Sequence, residues 1–170
     1  WIYKRPSIIE ITDKKKLNFN FYEKFKIKNI EHIICGNFSN DFQDYIFKDK
    51  LKFNKNQYLS SQLQKSVRRM NSYHSVKTSK HFLDLDLNSF LRRLPIIMLE
   101  DVSIHDSLSI IIWLMISITK GFKIKKEIIK WLLGITYYIS SENTKTYYSN
   151  ENIEYINWNL NDFNNKTKTI

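Results

Sequence analysis

The sequence predicts a mainly α protein: a helical bundle preceded by a small mixed α/β lobe. Three observations predict it. Apolar residues recur at helical spacing from about residue 60 to 140. Gly (3) and Pro (2) are scarce, so few of the tight turns of an all-β chain are written in. The β-branched runs "SIIEIT" and "EHIICGNF" are confined to the first third of the chain. These observations divide the 170 residues into a lobe over 1–56, a bundle over 57–150 and a partly ordered polar tail over 151–170.

Element by element, "SIIEIT" and "EHIICGNF" read as short strands. "KKKLNFNFYEKFKIK" alternates aromatic and polar residues (Leu17, Phe19, Phe21, Phe25, Ile27) and suits a strand or edge hairpin as well as a poor helix. "SNDFQDYIFKDKLKF" fits a helix capped by Ser39 or Asn40. "SSQLQKSVRRM" offers Ser61 and Gln64 as a capping box, with Leu63, Val67 and Met70 on one stripe. Val76, Phe82 and Leu83 continue the pattern, followed by Leu87, Phe90, Leu91 and Leu94. Pro95 either kinks that helix or opens the next one. Asp106 is a suitable N-cap for "SLSIIIWLMISITKG", and Gly121 a suitable stop. The apolar run Leu108–Ile118 is too short to span a bilayer and reads as a buried helix. Ile124, Ile128, Trp131, Leu132 and Ile135 line one face of a last helix. About five helices joined by short turns result.

Composition narrows function. Lys plus Arg number 27 against 17 Asp plus Glu, a formal net charge of +10. Such a chain attracts polyanions without sequence preference, although a Lys-rich coding bias accounts for some of the excess. The single cysteine, Cys35, excludes an intrachain disulfide and points to a reducing, intracellular compartment. It sits in an apolar run, where a buried inert thiol is expected. The chain begins at Trp1 without Met, the pattern of a fragment or a processed product, and no signal peptide is visible.

No constellation for catalysis stands out, so no enzyme and no cofactor are expected. Gly36, Gly121 and Gly134 form no phosphate loop. His74 and His81 are seven residues apart, too far for the usual i, i+4 metal pair. Ser103, His105 and Asp106 have no arrangement as nucleophile, base and orienter. Glu100 and Asp101 are adjacent and point about 100° apart on a helix. They fit structural ion pairs with the Arg68–Arg69 helix, or a cap on the turn before Ser103. A metal-dependent nuclease built on Glu100, Asp101 and His105 needs a carboxylate cluster that the sequence does not display.

Basic clusters are clearer. Lys65, Arg68 and Arg69 lie within about one turn, and Arg92 and Arg93 end an apolar stripe. "KGFKIKK" adds Lys120, Lys123, Lys125 and Lys126 beside Phe122, which looks exposed. Each cluster is either a solvated helix face or a contact for nucleic-acid backbone or an acidic partner. Ion pairing within the bundle is favoured for Arg93, and solvent for Lys65 and Arg69.

The series "SSQLQKSVRR", "FLRRLPIIMLEDVSIHD", "KGF" and "YYISSENTKTYY" resembles the C-terminal helical region of the MgsA/RarA and Werner-helicase-interacting AAA+ proteins. The matching positions are Ser61, Lys65, Ser66, Val67 and Arg68; Arg92, Arg93 and Leu94; Glu100, Asp101, Val102 and Asp106; then Gly121, Tyr138, Asn143 and Tyr147. The order and gaps agree over roughly residues 60 to 150. Departures fall at Arg69-Met70, Pro95, Ser103 and Ser107, and the ATPase module is absent from this chain. The resemblance implies a clamp-loader collar-like bundle that builds a homo-oligomer and contacts DNA at replication forks and ends, without ATP hydrolysis. The expected function is therefore a non-enzymatic assembly domain of DNA replication or repair, with DNA as partner and RNA as the alternative polyanion. A basic subunit of an RNA–protein machine, such as an organellar ribosome, is the second reading. No membrane association is expected.

Overall fold

The computed structural model describes residues 19–38 and 55–141. Two strands precede five helices: β1 (Phe21–Ile27), β2 (Ile30–Gly36), α1 (Asn56–Arg68), α2 (Ser72–Leu85), α3 (Leu87–Asp101), α4 (Ser107–Thr119) and α5 (Lys126–Ile139). The mainly α bundle expected of the sequence is what folds, and of the expected small mixed α/β lobe the described residues contain a two-stranded antiparallel sheet. The expected strand at "SIIEIT", the expected helix over 39–53, Leu17, the matches at Asn143 and Tyr147 and the tail over 151–170 lie outside the described residues.

β1 and β2 form an antiparallel hairpin in which Phe25 faces His32 and Tyr22 faces Cys35. Alternation decides its two faces. Phe21 is buried and Glu23 and Phe25 are half-buried, whereas Tyr22, Lys24 and Lys26 are exposed. The two-residue turn puts Lys28 at φ 55°, a position glycine favours.

Each helix buries one stripe. Leu59, Leu63 and Val67 of α1 meet Phe82 and Leu83 of α2 and Phe90, Leu91, Leu94, Ile97 and Met98 of α3 in a single core. The rings of Phe82 and Phe90 pack edge to face at 5.9 Å. Burial of each such side chain contributes about 1.5–3 kcal/mol. Pro95 resolves to an interior position of α3, where it is buried and the helix runs through it. Small polar residues also join α2 to the end of α5. Ser79 Oγ donates to Thr136 Oγ1 at 3.3 Å, and Ser72 Oγ donates to the Ser140 carbonyl at 2.9 Å. Short side chains let the two backbones approach closely there.

α1 and α3 run parallel. Asn56, the first residue of α1, donates to Asp86 at the start of α3 at 2.7 Å. Arg68, the last residue of α1, reaches Asp101 at the end of α3 at 2.8 Å.

Caps show where local sequence decides. Asp86 caps α3, accepting from the Ser89 amide at 3.0 Å and from Ser89 Oγ at 2.6 Å. These bonds, the Ser89 hydroxyl first, hold its carboxyl below the usual aspartate range. Gly121, at φ 95°, closes α4 as expected. The Phe122 amide bonds the Ser117 carbonyl and the Gly121 amide bonds that of Ile118, both at 3.0 Å. α1 ends in the same motif with Met70 in the glycine position, at φ 55°.

Three local expectations are corrected. α1 starts at Asn56, so Ser61 and Gln64 lie inside the helix and form no capping box. Asp106 is already helical (φ −59°, ψ −26°) and its side chain makes no cap bond. The Ser107 amide instead donates to His105 Nδ1 at 3.2 Å. Phe122, which looked exposed, is 7 % exposed because it seats the hairpin. Phe25 lies 5.2 Å and Trp113 5.5 Å from its ring centroid. Trp113 Nε1 donates to His32 Nδ1 at 3.0 Å, and Lys125 pairs with Glu23 at 3.4 Å. The hairpin therefore lies on the α4–α5 junction.

α4 departs from the buried helix expected of its apolar run. Its outer face carries Ile112 and Ile116, 39 % and 46 % exposed. Among the described residues no helix is long and apolar enough to cross a membrane.

Candidate nucleic-acid interface

The basic residues singled out in the sequence separate into three groups with different surroundings. The first is a knot at the α1–α3 seam, in which Arg68 and Glu100 remain exposed. Gln64 sits one turn before Arg68 on α1, and the parallel run of α3 brings Arg93, Glu100 and Asp101 to the same side. The Gln64 amide nitrogen donates to Glu100 at 2.8 Å and to Asp101 at 2.9 Å. Its carbonyl oxygen accepts from Arg93. That amide orientation is the only one that suits both neighbours, since the reverse would aim an oxygen at two carboxylates. Arg68 Nε bonds Asp101 at 2.8 Å, which raises the guanidinium further above its ordinary value, through that bond first and the carboxylate's charge second.

Two cations and two anions thus balance around one amide. Arg68 and Asp101 form the ion pair foreseen for the acidic residues. Arg93, expected to pair with a carboxylate, reaches the acids through Gln64, and its Nε is buried without a hydrogen-bond partner. Gln64 was visible only as a capping residue, although its i, i+4 spacing from Arg68 was the available signal for this role.

The second group is exposed. Lys65 and Arg69 are both exposed, one turn apart around the end of α1. Lys123 and Lys126 are exposed at the start of α5. Lys125 is exposed as well but paired with Glu23. The hairpin adds Lys26 and Lys28, which the sequence reading did not single out. Residues 55 to 141 carry thirteen Lys or Arg against six Asp or Glu. Glu100, Asp101 and Asp86 are hydrogen-bonded within the bundle.

Arg92 stands apart. It lines a shallow groove of about 460 Å³ with Met115, Ile116 and Thr119, between α3 and α4.

The chemistry available elsewhere is limited. Among the described residues no three His, Cys, Asp or Glu side chains gather as metal ligands. His105 is held by Ser107 Oγ at 2.7 Å and lies 5.3 Å from the Tyr138 ring. The structure does not join it to Glu100 and Asp101 in one cluster. Burial pushes the half-buried Cys35 thiol up, away from the reactive thiolate.

A scan of protein-family models, a search of curated proteins and a search of solved structures each found nothing that matches the chain.

Proposed function

We propose that this domain is a non-enzymatic assembly module of DNA replication or repair that lies on nucleic-acid backbone through Lys65, Arg69, Lys123 and Lys126. One observation carries the reading: Lys65, Arg69, Lys123 and Lys126 stand exposed on a bundle whose Lys and Arg outnumber its Asp and Glu by thirteen to six. Lys and Arg that protrude from a rigid helical frame contact phosphates without reading bases. Arg68 and Arg93 leave the contact set in this reading, because they hold α1 against α3. Lys26 and Lys28 join it. The resemblance to the AAA+ C-terminal region favours DNA over RNA.

Salt-titrated binding to fork-shaped DNA and to duplex RNA tests the proposal. On DNA the logarithm of affinity falls with log salt by about 0.9 per phosphate neutralised. Lys65→Ala with Arg69→Ala lowers that slope by about 2. Arg68→Ala lowers stability rather than slope. Tighter binding to the RNA would transfer the domain to an RNA–protein machine. Equal binding to both would reduce the surface to generic charge. Metal-dependent cleavage of either nucleic acid, lost in Glu100→Ala, would overturn the non-enzymatic assignment, and a strict monomer on a sizing column would overturn self-assembly.

A further inference from the structure

The outer face of α1 carries cations and an aromatic ring in one strip. Tyr58, Ser61, Lys65 and Arg69 follow one another at three- and four-residue steps, so they share a helix face turned away from the buried Leu59, Leu63 and Val67. All four are exposed. The strip continues past the turn at Met70 onto the first turn of α2, where Tyr73 and His74 are exposed. Tyr73 is 60 % exposed, the most of any aromatic side chain among the described residues. Its ring stands edge to face with that of His74 at 5.5 Å. Aromatic rings therefore lie at both ends of the strip, with two cations between them.

The local charge is one-sided. From Lys55 to Leu83 the chain holds six Lys or Arg and no Asp or Glu. Arg68 turns aside to Asp101, whereas Lys65 and Arg69 stay in solvent on the strip. Charge alone draws any polyanion. Rings set among the cations add a preference. A duplex keeps its base faces inside the stack and offers phosphates to a convex helix surface. A single strand can turn its bases outward, and every base has a face that stacks on an aromatic ring or on a guanidinium. At the other basic cluster the ring beside the lysines, Phe122, is buried and offers no platform.

We propose that the strip from Tyr58 to His74 binds single-stranded DNA, with Lys65 and Arg69 on phosphates and Tyr58 and Tyr73 stacked on unpaired bases. This rests on the nucleic-acid reading above and narrows it to the unpaired arms of a fork. Tyr58 and Arg69 are about 16 Å apart along the helix, so one strand of a few nucleotides reaches both ends. Stacking of this kind is indifferent to base sequence.

The test is salt-titrated binding of the full chain to a thymine-only strand, a uridine-only strand and a DNA duplex of equal length. The thymine strand is expected to bind more tightly than the duplex. Tyr58→Ala and Tyr73→Ala each weaken binding of that strand at least about fivefold and leave the salt slope unchanged, because no phosphate contact is lost. Tyr73→Phe keeps the ring and the affinity. Lys65→Ala with Arg69→Ala lowers the slope on the single strand by about 1.4. A readout without substitutions uses a strand carrying 5-iodouracil, which photo-crosslinks to rings stacked on it. After digestion at Lys and Arg, the expected products are peptides 56–65 and 70–77, which hold Tyr58 and Tyr73. Equal or tighter binding to the duplex, unchanged affinity in both alanine variants, or crosslinks confined to other peptides would overturn the strip, while a persisting salt slope leaves the nucleic-acid reading standing. Tighter binding to the uridine strand would overturn DNA as the source of the unpaired bases. Absence of salt-dependent binding to all three would overturn both readings.

Discussion

Met70 adopts φ 55° at the glycine position of the motif that ends α1. A side chain there costs about 1 kcal/mol relative to glycine. Met70→Gly is therefore expected to raise stability by about 0.5–1 kcal/mol in thermal unfolding. The equivalent position after α4 is already Gly121, where an added Cβ would meet nothing within 4 Å. Conformation rather than crowding sets the preference there. Asp86 illustrates a residue tuned by its cap. Its folded carboxyl titrates below its unfolded value because Ser89 and Asn56 bond the ionised form. The stabilisation is complete above about pH 4, the unfolded range, and disappears as pH falls through the folded value. Asp86→Ala is expected to cost about 1 kcal/mol at neutral pH. Melting of the two proteins from pH 7 to pH 3 checks this, and the gap between them should shrink as acid is added.

The hairpin is attached to the bundle through the aromatic chain Phe25 on Phe122 on Trp113, the His32–Trp113 bond, the Glu23–Lys125 pair and Phe21 in the shared core. Phe25→Ala is expected to detach it: tryptophan emission shifts to the red while far-ultraviolet dichroism keeps the helical signal. Stability falls by about 1–3 kcal/mol. The same elements show how far the chain can be read unfolded. Helices α1 to α5 were legible because Leu63, Val67, Phe90, Leu94, Ile128 and Leu132 repeat at helical spacing, and packing acted on that repeat. The start of α1 was not, because Lys55 stands at the cap with no side-chain bond, while the Ser61–Gln64 pair offered a false signal. Asp106 misled in the same way, since His105 supplies the acceptor. The half-open face of α4 was hidden because its apolar residues run almost all round the helix and carry no marker of which side meets solvent. The basic clusters were legible as charge. That Gln64 stands between Arg93 and the two acids was not, because that depends on α1 and α3 lying parallel, a non-local fact.

At the scale of the molecule, charge and frame divide the arginines and lysines into those that hold helices and those that face solvent. Slope measurements on Lys65 and Arg69 against stability measurements on Arg68 separate the two uses. The parallel α1–α3 pair has one more consequence. Its apolar stripes repeat every turn, so sliding one helix past the other by about 5.4 Å would still bury leucine against leucine. Polar groups lie at both ends of the pair and tolerate no such slip: Asn56 with Asp86 and Ser89 at one end, Gln64 and Arg68 with Arg93, Glu100 and Asp101 at the other. They work as a vernier, two marks that coincide in one alignment only. Asn56→Leu with Gln64→Leu is accordingly expected to keep helix content and compactness while near-ultraviolet dichroism weakens and amide resonances broaden, the signs of a bundle that has lost its unique register.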